Sequence, residues 1–174
     1  VNEVPSLWRS PGTPERLTDS EVFAIIFSTE QKSLYDDVEV QISIGTDSQP
    51  LGEAFCFVSA VCLYRKGRGG TYYYKREVVR PRPHLLKNQK LRMLDEVYKS
   101  IEIALALREA TGVAAAIHID ASPPSGSAFT SKFADQLRGY VISSGLECAL
   151  KPLSYAANAV ADRHTKKRQL FKKP

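Results

Sequence analysis

Val38-Glu39-Val40-Gln41-Ile42-Ser43-Ile44-Gly45-Thr46-Asp47-Ser48-Gln49 alternates apolar and polar side chains as far as Gly45 and then turns polar. A period of two is that of a strand with one buried face, so residues 38–47 are expected to form a strand. Val38, Val40, Ile42 and Ile44 line one face, and Glu39, Gln41 and Ser43 the other. Asp47 closes this strand in a polar cluster. Its competing reading is an ordinary strand-ending turn, where Asp and Ser are common.

Downstream, Phe55 to Tyr64 is apolar on both faces, as in a central strand. Lys66 to Gly70 supplies turn residues and Thr71 to Val79 is rich in Tyr and Val, which predicts a hairpin. After an extended Arg80 to Pro83, a helix is expected from about Leu86 to Ala110, with Leu94, Val97, Ile101 and Leu105 at spacings of three and four and Gly112 as its stop. Then come a strand over Ala114 to Asp120, a loop over Pro123 to Gly126, a helix from Ala128 to Ser144, and a strand over Leu146 to Leu150. A last helix runs from Tyr155 to about Lys167, with Ser154 as its cap. Upstream, three prolines precede a short helix over Glu21 to Gln31, capped by Thr18 or Asp19. The expected organisation is an extension over 1–37, one α/β domain over 38–168, and a basic tail over 169–174.

Composition sets the class. With 174 residues, 43% apolar and 25% charged, the chain is the size of one soluble domain. No apolar run approaches the roughly 20 residues that span a bilayer, and no basic-then-apolar leader opens the sequence. Cys56 and Cys62 share a predicted strand about 20 Å apart, too far to pair, and no spacing suggests zinc. A reducing cytoplasm is the expected home. Charge is segregated within the net +5: residues 64–92 carry +9 and residues 163–174 carry +6, which leaves −10 elsewhere. That pattern suits a protein that meets a polyanion with one region and keeps acidic chemistry in another; a solvated hairpin and tail would give the same count.

The acids that could carry chemistry are few. Asp120 closes Ile117-His118-Ile119-Asp120 at the carboxyl end of a strand, where parallel sheets hold ligands. If its strand neighbours the one bearing Asp47, two carboxylates crowd together, and such a pair needs a cation or a proton. On the long helix, Glu96 and Glu102 are separated by about 120°, so only one can reach a given metal. Asp162 lies on a face of Ala and Val, where an acid borders closely packed backbone; a salt bridge to Lys166 is the alternative.

GTDSQ at 45–49, EVYKSIE at 96–102, IHIDAS at 117–122, and KP followed by ADRHTK over 151–166 resemble the YkuK group of bacterial proteins, classed as ribonuclease-H-like. The resemblance runs from about residue 20 to 168. It implies a ribonuclease-H-like α/β fold with a five-stranded mixed sheet in order 3-2-1-4-5, strand 2 antiparallel, flanked by helices. By analogy it implies that Asp47, Glu96, Asp120 and Asp162 are the catalytic, metal-binding acids. Two Mg²⁺ or Mn²⁺ ions would suit such a set, since carboxylates are the hard ligands these ions prefer in phosphodiester hydrolysis. Candidate nucleic-acid contacts are Ser48 and Gln49 beside the first acid, Arg68, Lys75 and Arg76 on the hairpin, and Arg163, His164, Lys166 and Lys167 after the last acid. Two functions stay open: a metal-dependent nuclease acting on RNA, RNA/DNA hybrid or structured DNA, and a non-catalytic nucleic-acid-binding or assembly module. The oligomeric state is not legible.

Overall fold

The computed structural model describes residues 6–80, 88–124 and 130–166. Helix α1 (Asp19–Tyr35) starts at a capping box in which Thr18 and Glu21 satisfy each other's backbone N–H groups. Strands β1 (Val40–Leu51), β2 (Ala54–Arg65) and β3 (Gly69–Val79) form a meander. Helix α2 (Gln89–Thr111) ends at Gly112, whose φ of 77° is the left-handed stop expected there. Strand β4 (Ala116–His118), helix α3 (Ser131–Ser143) and strand β5 (Cys148–Ala149) follow. The chain then enters a π-helix (Ala156–Ala161) that runs into α4 (Asp162–Lys166).

The sheet order is β3-β2-β1-β4-β5. β1 is antiparallel to β2 and parallel to β4, and β4 is parallel to β5. This is the mixed five-stranded sheet anticipated for a ribonuclease-H-like chain.

Alternation along the strands gives the sheet two different faces. Ile42 and Ile44 of β1, Val61 and Leu63 of β2, and Ile117 and Ile119 around β4 enter the main core with Val97, Ile101 and Ala104 of α2 and Leu137 of α3. On the opposite face, Cys56, Val58 and Ala60 pack against Ala161. That second layer is thin because the C-terminal helical segment comes very close. A Cβ on Gly45 would lie 2.5 Å from the Ala157 backbone nitrogen, so only glycine permits β1 and the π-helix to touch here.

Several expectations shift. β1 does not stop at Asp47 but continues to Leu51, because its polar residues still pair with Cys56–Val58 of β2, so Asp47 lies inside the strand. β4 and β5 are shorter than the sequence suggests, and Asp120 lies two residues past β4. Ser154 does not cap the last helix with its side chain; its backbone carbonyl accepts from Ala157 and Asn158 instead. Residues before 38 contribute Trp8, Val22, Phe23 and Ile26 to the main core, and a bridge joins Arg9 to Tyr74 of β3. The expected extended stretch over 81–83, residues 125 and 126 of the 123–126 loop, and Lys167 with the tail lie outside the described residues. No helix among those described is long and apolar enough to cross a membrane.

Candidate functional site

Register alone brings two of the acids together. The last pair of the parallel ladder is Gly45 opposite His118, and Asp47 and Asp120 each lie two residues beyond it. Both side chains emerge on the face covered by the π-helix and α4. The next ladder ends at His118 opposite Ala149, and Lys151 lies two residues beyond it, with its ammonium on Asp120. On the other side, Asp47 pairs with Val58 and Val58 with Arg76. One row across the sheet therefore reads Asp47, Val58, Arg76, while Asp120 and Lys151 lie past the ends of β4 and β5.

The C-terminal segment supplies the third acid from above this row. Thr165 Oγ donates to Asp47 Oδ2 at 3.0 Å, and Gln49 Nε2 donates to Asp162 Oδ1 at 3.3 Å. Lys151 Nζ lies 2.6 Å from Asp120 Oδ1, a buried oxygen that no donor meets in hydrogen-bonding geometry. Burial pushes the Asp47 carboxyl up to about 6; Thr165 opposes the shift and the charges of Asp162 and Asp120 add to it.

Glu96 reaches the same end of β1 from the other face. Its side chain is only 12% exposed and accepts from Ser48 Oγ, while Arg92 of the preceding turn stands 4.0 Å away. Burial pushes its carboxyl up to about 8; the Ser48 hydroxyl and Arg92 oppose this, and the charges of Asp47 and Asp120 reinforce it. Below it a buried chain of hydroxyls, Ser100 to Thr46 to Ser59, fixes α2 against the strand. Glu102 is exposed and takes no part.

The remaining candidates divide. Ser48 is buried against Glu96, and Gln49 holds Asp162. Arg76 stays on the acidic face, with a guanidinium nitrogen 3.1 Å from Cys56 Sγ. Arg163 is exposed on α4. Lys75 points the other way, pairs with Asp19 at 2.9 Å and covers the Trp8 ring, so it fastens the N-terminal segment. Arg68 pairs with Asp36 at the far hairpin tip. His164 is buried, stacked on Tyr74 with ring centres 3.6 Å apart and 3.0 Å from the Tyr72 hydroxyl. Nothing is described of the Lys166 side chain.

Sequence reasoning missed Lys151 and Arg92. Lys151 stands as far past β5 as Asp120 stands past β4, an offset that acquires meaning only once β5 is placed beside β4.

The donor set fits a hard divalent cation in kind. It consists of carboxylates, three of them feel one another's charge at Asp47, and one buried Asp120 oxygen accepts no hydrogen bond. Among the described residues, however, no three His, Cys, Asp or Glu side chains are gathered closely enough to hold an ion as they stand. The cation that meets Asp120 is Lys151.

A family model described as Ribonuclease H-like matches residues 21–166. A protein of Bacillus subtilis (strain 168) named "Uncharacterized protein YkuK" is 29% identical over 140 residues, covering 72% of this chain and 78% of its own. No solved structure matches.

Proposed function

Because the chain belongs to the ribonuclease H-like family, we propose that it hydrolyses phosphodiester bonds of nucleic acid with the help of divalent metal. The observation that carries this reading is that Asp47 and Asp120 each lie two residues past the last β1–β4 pair, Gly45–His118, with Asp162 and Glu96 close enough to act on the same group of charges. Four carboxylates around one strand segment repel unless a cation or protons offset them. Asp47, Asp120, Asp162 and Glu96 would hold Mg²⁺ or Mn²⁺, which when bound supplies positive charge to an attacking water and to the leaving oxygen. Ser48 orients Glu96, Thr165 orients Asp47, and Gln49 orients Asp162.

The substrate's phosphates would follow the positive side of the row. Arg76 lies two strands from Asp47, roughly 10 Å at ordinary strand spacing. Exposed Arg163 of α4 would add a further positive charge. Contacts of this type position a nucleic acid and carry no sequence information, so a structure-selective enzyme is the natural reading.

The test is a panel of labelled single strands, duplexes, RNA/DNA hybrids and branched junctions incubated with Mg²⁺, with Mn²⁺, and with EDTA. Metal-dependent cleavage of at least one polymer, abolished by Asp47→Asn, is expected. A second reading, a non-catalytic nucleic-acid-binding module, draws on the absence of a gathered ligand group among the described residues. It prevails if every polymer survives while binding retains a steep salt dependence.

A further inference from the structure

Lys151 belongs to this acidic group by position. Asp120 and Lys151 each lie two residues past the last β4–β5 pair, His118–Ala149, and the contact is direct: Nζ to Oδ1 at 2.6 Å. The loop is fixed as well, since the Lys151 amide donates to the carbonyl of fully buried Ala121 at 3.0 Å. The lysine side chain is 40% exposed and that of Asp120 is 26% exposed, so the ammonium has room to leave toward solvent without disturbing the core.

Resting on the metal-dependent reading above, we propose that Lys151 is a tethered cation that occupies the Asp120 carboxylate in the metal-free protein and is displaced from it when the divalent ion binds. An ammonium on Asp120 Oδ1 competes with a divalent ion for that oxygen's charge, and the two cations repel each other. Lys151 therefore sets the metal affinity while not being a ligand. It also accounts for acids that share one region without being gathered around a point: Asp120 is turned to its own counter-ion.

A pair this exposed contributes modestly, so the competition is worth about two- to fivefold in metal affinity. The experiment is calorimetric titration of the full chain with Mn²⁺ alone, on wild type, Lys151→Met, Lys151→Gln and Lys151→Arg, with the melting temperature of each recorded in EDTA. Both neutral variants should bind Mn²⁺ about two- to fivefold more tightly and melt lower in EDTA, whereas Lys151→Arg should stay within about twofold of wild type. A merely structural lysine would leave affinity unchanged or weaken it in all three. Wild-type binding with unchanged or weaker affinity in both neutral variants overturns this inference and leaves the metal-dependent reading intact. Absence of any Mn²⁺ binding to wild type overturns both.

Discussion

Gly45→Ala is the sharpest perturbation the fold offers, because the added methyl meets backbone. Its Cβ would lie 2.5 Å from Ala157 N and 2.8 Å from both Ala156 C and Ala157 Cα, whereas ordinary contact is about 3.5 Å. No rotamer change relieves this, so the π-helix has to retreat from β1 by about 1 Å. Overpacking of this kind costs about 1–3 kcal/mol, and in a domain of this size each kcal/mol lowers the melting temperature by about 2–4 °C. A drop of about 2–12 °C is expected. The retreat also lengthens the three bonds that tie β1 to the C-terminal segment: Tyr155 to Ser43 at 3.0 Å, Thr165 to Asp47 at 3.0 Å, and Gln49 to Asp162 at 3.3 Å. Mn²⁺ affinity should fall with stability. The control is Gly139→Ala in α3, where nothing lies within 4 Å of the new Cβ and the substitution should be neutral or stabilising by up to about 1 kcal/mol. Thermal melts and Mn²⁺ titrations of the two variants decide it. If Gly45→Ala melts within about 1 °C of wild type, the close strand-to-helix approach is not what holds the site.

Three further outcomes are expected. Asp47 at about 6 and Glu96 at about 8 both titrate above the unfolded values near 4. Between those limits the folded metal-free protein keeps protons that the unfolded chain has released, so its melting temperature in EDTA should fall as pH rises from about 4 to 8; a rise across that window would contradict the burial of these carboxyls. Glu96→Gln should abolish most Mn²⁺ binding without lowering metal-free stability, while exposed Glu102→Gln keeps both, and calorimetry giving the reverse order would reassign the helix acid. Arg76→Ala should lower the slope of log affinity against log salt for labelled duplex DNA by about 0.9 and leave Mn²⁺ affinity unchanged; an unaltered slope would remove Arg76 from the phosphate path.

Much of the architecture was legible because its signals are local. Alternation in 38–44, the Tyr- and Val-rich hairpin and the three- and four-residue spacing in α2 each fix one element without reference to the others. Strand ends were less legible. The polar run from Thr46 to Gln49 looks like a strand leaving its core, yet β2 supplies Phe57 and Cys56 opposite Ser48 and Gln49 and keeps the ladder going. Only pairing, a non-local property, places Asp47 inside a strand. The same limit hid Lys151, whose meaning depends on β5 lying beside β4, and hid the role of Lys75, which has the charge expected of a phosphate contact but faces Trp8. His164 follows an acid in sequence, and its side chain is buried against Tyr72 and Tyr74.

Strand length explains why acids from opposite faces can act together. β1 runs to Leu51, but its ladder to β4 covers only Ser43 to Gly45. From Thr46 onward β1 is paired with β2 on one side and, among the described residues, has no strand beside it on the other. Over a continuous sheet, Glu96 on the α2 face and Asp120 on the α4 face would be separated by hydrogen-bonded backbone and a layer of side chains. Here the sheet has ended before Asp120 is reached, so the charge of Asp120 is felt at Glu96. The break in pairing is therefore a consequence of β4 having three residues where β1 has twelve.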